Sequence, residues 1–381
     1  MKWLFLLLFP FSAHAWTGAT HHLLVDKSLA SVATKWNLNA PVVIVPFENF
    51  LVKLAKENPK IQTRADFAEW LQINSAAPFD ALHKSEIPDH VTTPLQILSI
   101  TSPRPDDGRD RRLAIDHLEQ FWFGRGTKTV SQAFRHMEKV PFDLLHPLNT
   151  FGFPPGPVGQ ATQRAQIYFD LALLAHRLEE PYWAWNFLGC ALHYIEDLQQ
   201  PFHSSQLIPP LAWKGLQSYF RWGFQEKNGF LKTLTHIASN THHYFEGYVE
   251  MMLGGEHDAP LSTGALWNDA LKGKDIFEKP LSARELAKNI RDFSNRYVYD
   301  TVEAVLKLTD GNLLGPKIYT TDFEDGPPEN PTLFFNPDVF HRTDAAAQIS
   351  RIVLTNFKYQ GTAIRTIVRS FLNQTESKQG G

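Results

Sequence analysis

His193-Tyr194-Ile195-Glu196-Asp197-Leu198-Gln199-Gln200-Pro201-Phe202-His203 is the stretch on which the reading of this chain turns. His193 and Asp197 stand four apart, so on a helix they share one face. His203 follows two residues after Pro201, where a helix must kink or stop. Two imidazoles and a carboxylate are gathered at one helix end. Borderline divalent metals, zinc above all, accept that mixture of donors. Upstream, Trp183, Phe187, Ala191, Tyr194 and Leu198 recur at helical spacing, so the motif closes a helix running from about Trp183 to Gln199.

Outward from this helix the chain reads as helices and loops, with no run of alternating strands. A first helix is expected over His21 to Trp36, and another over about Ala165 to Leu178, ended by Glu180-Pro181. A further helix covers about Leu231 to Met252, before Gly254-Gly255. Ser282-Ala-Arg-Glu285 is a capping box, and apolar residues from Leu286 to Leu308 continue its helix. The last helix starts after Thr343 and runs to about Leu372, with Gly361 a weak point. Residues 37–110 mix short helices with proline turns, and Phe153-Pro-Pro-Gly-Pro157 is a rigid connector. Residues 309–342 hold five prolines, so no regular helix forms there, and their apolar residues place them on the core. The tail 374–381 is expected to be disordered. The economical fold class is all-α: one multi-helix domain over 16–373 with a helical C-terminal extension.

Composition agrees. The chain of 381 residues is 43% hydrophobic and 20% charged, as a folded protein should be. A net charge of −3 shows no basic excess that would demand nucleic acid or an anionic surface. Residues 1–15 read as a signal peptide: Lys2, an apolar run from Leu4 to Phe11, and Ala13-His14-Ala15 as the cleavage pattern. The run is too short to span a bilayer, and no other stretch of about 18 apolar residues follows. The expectation is a secreted or periplasmic protein without a lipid anchor. Cys190 is the single cysteine, so no intramolecular disulfide forms, and it reads as a small buried residue.

Cleavage after Ala15 would leave Trp16 as the new terminus, whose amine and carbonyl oxygen can chelate a metal. His21 lies five residues on. Two more pairs of histidine and carboxylate follow. Asp106 and Asp107, in a Pro-Asp-Asp-Gly turn, precede His117 by ten or eleven residues, and His242 and Glu246 are again four apart on a predicted helix. His22 rivals His21 and His243 rivals His242, but only His242 has a glutamate at i+4.

The motif resembles the His-Tyr-x-Gly-Asp-x-x-Gln-Pro-x-His signature of the zinc-dependent phospholipase C and single-strand nuclease superfamily, in its bacterial phospholipase C and alpha-toxin-like branch. The resemblance is strong over 193–203 and good over Trp16 to His21. It extends to 106–117 and 242–246, and is undetectable beyond about residue 255. It implies a mostly helical fold and three zinc ions. One ion would take Trp16, His21 and Asp197. A second would take Asp106 or Asp107 with His117, His193 and Asp197, so that Asp197 bridges the two. The third would take His203, His242 and Glu246. The resemblance also implies hydrolysis of a phosphodiester by metal-activated water. Asp106 or Asp107 would orient or deprotonate that water, and Asp197 would hold the paired ions at the reacting centre. Glu196 departs from the signature, which has glycine there; it is expected either to point outward or to alter substrate fit.

The substrate expected is phospholipid, with peripheral membrane contact and no obligate protein partner. Residues Ala19 to Val25 look more like the bacterial phospholipases than the nucleases, and the fungal nucleases rely on disulfides. Single-stranded nucleic acid is the alternative substrate of the same superfamily. Trp213, Tyr219, Phe220, Trp222 and Phe224 would grip acyl chains, stack on bases, or pack in the core. The alpha-toxin membrane module is a β-sandwich, whereas residues 282–308 and 344–372 read as helices. A non-catalytic zinc-binding exported protein is the reading from a different class.

Overall fold

In a computed structural model the described residues are 16, 18–71, 90–106, 135–140, 157–205, 217, 229–253, 262–279, 281–309 and 343–376. The expectations for residues 1–15, Asp107, His117, 153–156, the aromatic segment from Trp213 to Phe224, 310–342 and 377–381 lie outside them.

The order among the described residues is α1 (Gly18–Leu29), β1 (Val42–Val43), α2 (Phe47–Glu57), α3 (Arg64–Leu71), β2 (Val91–Thr92), α4 (Pro94–Thr101), β3 (Glu138–Lys139), β4 (Val158–Gly159), α5 (Ala161–Arg177), α6 (Pro181–Gln199), α7 (Pro201–Ser204), α8 (Gly229–Leu253), α9 (Ser262–Leu271), α10 (Ala283–Asn295), α11 (Val298–Leu308) and α12 (Thr343–Glu376). The class is mostly helical, as expected. Two antiparallel two-residue ladders join it, β1 with β2 and β3 with β4. Such short pairings lack the alternating pattern that reveals a strand in sequence.

α6 is the axis of the molecule. Pro181 occupies its first turn, where the missing N–H costs nothing, so Glu180-Pro181 both stops α5 and starts α6. Glu179 makes the corner with a positive φ of 57°. Every α6 residue from Phe187 to Gln199 is buried, against α5, α4, α10 and α12. A helix buried on all sides belongs in a core, and α6 is apolar over most of its length with its polar residues gathered toward its end. Burial of Trp183, Phe187, Ala191, Tyr194 and Leu198 supplies the free energy that offsets the burial of polar groups at the helix's end. Gly189 is required by close approach: a Cβ there would collide with the hydroxyl oxygen of Thr101 on α4. That tight crossing brings the chain leaving α4 to Asp106 beside the end of α6.

Three boundaries differ from the sequence reading. α1 ends at Leu29 rather than Trp36; turns follow, with Asn37 at φ 55°. The helix opened by the Ser282 capping box breaks at Arg296-Tyr297, and α11 starts at Val298. Both halves keep an apolar face, so the periodicity alone does not show the joint. α12 passes straight through Gly361 and continues to Glu376, so residues 374–376 are helical. Gly361 is a packing requirement, because a Cβ there would collide with the Leu271 carbonyl of α9. No helix among the described residues is long and apolar enough to cross a membrane.

Candidate metal centre

The last turn of α6, the short α7, α1, α8, the chain after α4, and the segment 135–140 converge on one buried set of imidazoles and carboxylates. Three groups of side chains each present ligand atoms within 4.8 Å of one another: His21, His193 and Asp197; Asp106, His136 and His193; and His203, His242 and Glu246.

Asp197 sits at the middle. Its Oδ1 is 3.5 Å from His21 Nε2. Its Oδ2 is 3.0 Å from His136 Nδ1 and 3.1 Å from His193 Nε2. The two oxygens of one carboxylate therefore face different groups. Asp106 spans the same divide, with Oδ1 3.4 Å from His136 Nδ1 and 3.7 Å from His193 Nε2, and Oδ2 3.9 Å from His21 Nε2. Burial pushes the Asp197 carboxyl up. The charge of His193 and the hydrogen bonds of His136 and His193 outweigh burial and hold it at about 2, so Asp197 is an anion at neutral pH.

The third group lies across Pro201. Gln200 is the N-cap of α7: its Oε1 accepts from the N–H groups of Phe202 (2.5 Å) and His203 (3.2 Å), while its Nε2 donates to Glu246 Oε1 at 3.3 Å. One side chain thus starts α7 and steadies Glu246 on α8. His203 Nδ1 is 3.1 Å from the His136 carbonyl oxygen, which can only accept. Nδ1 therefore carries the proton, and Nε2 presents its lone pair to His242 Nε2 at 3.1 Å. Burial lowers the His203 pKa to about 3, so the ring is neutral at neutral pH. His242 Nε2 in turn lies 2.7 Å from Glu246 Oε1. Burial pushes the Glu246 carboxyl well up from its ordinary value.

The donor geometry fits a metal. Tetrahedral zinc with bonds of about 2.0–2.2 Å sets its donor atoms about 3.3–3.6 Å apart. The spacings of 3.4 and 3.5 Å from Asp106 Oδ1 to His136 and from Asp197 Oδ1 to His21 fall in that span, and 3.7 Å from Asp106 to His193 lies just beyond it. His136 Nδ1 to His193 Nε2 at 2.7 Å, and Asp197 Oδ2 to the two imidazoles at 3.0 and 3.1 Å, are at hydrogen-bond distance. Two buried atoms sharpen the test: His21 Nε2 and Asp197 Oδ1 face each other and neither has a hydrogen-bond partner. An unpaired buried polar atom costs about 1–3 kcal/mol, which a shared cation would recover.

Most residues expected in the site are brought together: His21, Asp106, His193, Asp197, His203, His242 and Glu246. His22 turns instead to the Ser99 hydroxyl at 3.2 Å. His243 stacks on the His242 ring and sets Nδ1 3.4 Å from Glu246 Oε2. Trp16 is buried, its indole N–H donating to the Glu196 carbonyl at 3.0 Å, its ring against Phe245 and Phe357. That places the indole of residue 16 beside the end of α6.

Two residues stand in the centre in places the sequence did not assign them. His136 is the histidine that stands with Asp106, His193 and Asp197; it has no acid at helical spacing and lies thirty residues from Asp106, so no local pattern reveals it. Tertiary pairing delivers it. The next strand pairs with β4, Val140 N–H donates to the Ser204 carbonyl at 2.9 Å, and Glu138 is gripped by Thr162 and Arg291. The second is Glu196. It does not point outward: it is fully buried, with Oε2 2.5 Å from His21 Nδ1. Burial raises its pKa while the imidazole pulls it back. The departure of this residue from the signature was the one available signal.

Comparison of the chain with protein families, with curated proteins and with solved structures gives no match.

Proposed function

We propose that this chain is an exported metal-dependent phosphodiesterase of the phospholipase C type, holding three zinc ions. One observation carries the reading: the two oxygens of Asp197 face two separate imidazole groups, and a third ligand group stands directly beyond Pro201. A carboxylate shared in this way suits a pair of cations a few ångström apart, which is the arrangement that phosphoryl displacement uses. The motif at 193–203 and its likeness to the superfamily signature add to it.

His21, Asp197 and the backbone of Trp16 would hold the first ion. Asp106, His136, His193 and Asp197 would hold the second, and His203, His242 and Glu246 the third. Bound there, the ions supply positive charge for the phosphate oxygens and an acidified water. The carboxylates are fewer than the charges they neutralise, so the centre attracts a phosphodiester anion. Asp106 has the residual exposure that its neighbours lack, 10% of its side chain against 0% for His21, His193 and Asp197. It is the carboxylate placed to accept a proton from water arriving with substrate. The Gln200 amide would orient Glu246 without touching substrate.

The test is turnover of a chromogenic phosphodiester by the purified protein, followed by phosphatidylcholine micelles and single-stranded DNA at equal enzyme. Hydrolysis of the phospholipid to diacylglycerol, abolished by a chelator and restored by zinc, is expected. Exclusive cleavage of DNA would replace the phospholipase reading with the nuclease one. Stoichiometric zinc without turnover of either would leave a non-catalytic zinc protein.

A further inference from the structure

Glu196 occupies a position that its neighbours make unusual. Its backbone carbonyl accepts the Trp16 indole N–H at 3.0 Å, and its side chain meets His21 Nδ1 at 2.5 Å. The residue after it is Asp197. One short piece of α6 thus contains Asp197 and touches both His21 and the Trp16 indole. His21 and Glu196 are both fully buried, so water does not compete for their contact.

The two nitrogens of an imidazole are linked. A metal on Nε2 needs the lone pair there, so the proton must reside on Nδ1, and that proton needs an acceptor. Glu196 Oε2 is that acceptor. The ring is also stacked on His193, with centroids 4.4 Å apart, which holds its plane, and the contact of Nδ1 with Glu196 selects between the two flips of the ring. In that orientation Nε2 faces Asp197 Oδ1. A carboxylate behind a metal-bound histidine fixes its tautomer and raises its basicity, and removing such a partner weakens metal affinity about 10–100-fold.

We infer that Glu196 is the positioning residue of the His21–Asp197 metal site, holding His21 with its Nδ1 protonated and its Nε2 aimed at the ion. The inference rests on the metal reading proposed above. It assigns Glu196 neither a bond to the ion nor a contact with substrate. The effect is local: only the ion between His21 and Asp197 depends on it.

The experiment compares Glu196→Leu, which removes the acceptor at similar volume, with Glu196→Gln, whose amide oxygen still accepts from Nδ1–H. Zinc titrations against a chromophoric chelator count ions and affinities, and the melting temperature of the metal-free protein reports packing. Glu196→Leu should weaken one ion about 10–100-fold and leave the others unchanged. Glu196→Gln should recover most of that loss. A merely structural glutamate would shift the metal-free melting temperature and leave the affinities alone, and that result overturns the proposal. Should Glu196→Leu fail to fold, ¹⁵N NMR of the zinc-loaded, unsubstituted protein decides. It must show His21 protonated at Nδ1 and metal-bearing at Nε2, and the reverse overturns the proposal. If the unsubstituted protein binds no zinc, the metal reading fails as a whole. If it binds three ions and Glu196→Leu binds them equally well, the Glu196 assignment fails alone.

Discussion

Asp197→Asn should weaken two ions with one atom exchanged. Asparagine keeps the volume and planar shape of the side chain, so the packing of α6 survives. The bridging charge is lost. Asp197 stands 3.5 Å from His21 and 3.0 and 3.1 Å from His136 and His193, and so reaches imidazoles of the first and the second ligand group at once. Zinc held by four protein ligands is worth about 10–16 kcal/mol, so one ligand's share is about 3 kcal/mol, or about 10²-fold in affinity. Both ions should weaken by that factor. The third, between His203, His242 and Glu246, has no ligand in common with them and should hold. Competitive zinc titration, with helical circular dichroism as the control for folding, measures this directly. The expected result is one tight ion where the unsubstituted protein has three. Retention of all three at unchanged affinity would refute the bridging role, and selective loss of the third ion would refute the partition of the groups.

Four further substitutions probe other parts of the account. His136→Ala should cost the second ion alone and abolish phosphodiester turnover, read by metal content and by chromogenic assay; full activity would restore the case for a different histidine, His117 first. Gly189→Ala should lower stability by about 1–3 kcal/mol in urea denaturation, because the new methyl meets Thr101 where α4 crosses α6. Thr101→Ala in the same chain should relieve part of that cost. Lys139→Met tests a buried amine whose pKa burial lowers from 10.5 to about 7. Between those values the unfolded chain binds a proton that the native one does not, so raising the pH stabilises the native state, with a slope of about 1.4 kcal/mol per pH unit. The methionine variant should lose that slope between pH 7 and 10, which thermal melts across the range would show.

The parts of the centre legible in the sequence share one physical property: their ligands are close along a helix. His193 and Asp197, and likewise His242 and Glu246, are one turn apart, and Pro201 marks where His203 leaves the helix line. Helical periodicity is intrinsic to the backbone, so it shows without tertiary knowledge. His136 is delivered by a two-residue ladder and a backbone bond to Ser204, neither of which has a composition of its own. Glu196 is one residue from Asp197 on α6 and so points to another side, where its partner is 175 residues upstream. The class of fold was legible for the same reason as the helical ligands. The joint at Arg296-Tyr297 was not, because α10 and α11 bury faces that continue one another in sequence. Gly361 illustrates the converse: it reads as a helix breaker, yet it is what lets α9 press its carbonyl against α12.

The most direct test of the central claim is anomalous diffraction at the zinc edge from crystals of the zinc-loaded protein. The account predicts three peaks: one between His21 Nε2 and Asp197 Oδ1, one among Asp106, His136, His193 and Asp197 Oδ2, and one among His203, His242 and Glu246. Crystals grown with zinc that show no peak at Asp197, with its carboxylate hydrogen-bonded to the imidazoles instead, would contradict it.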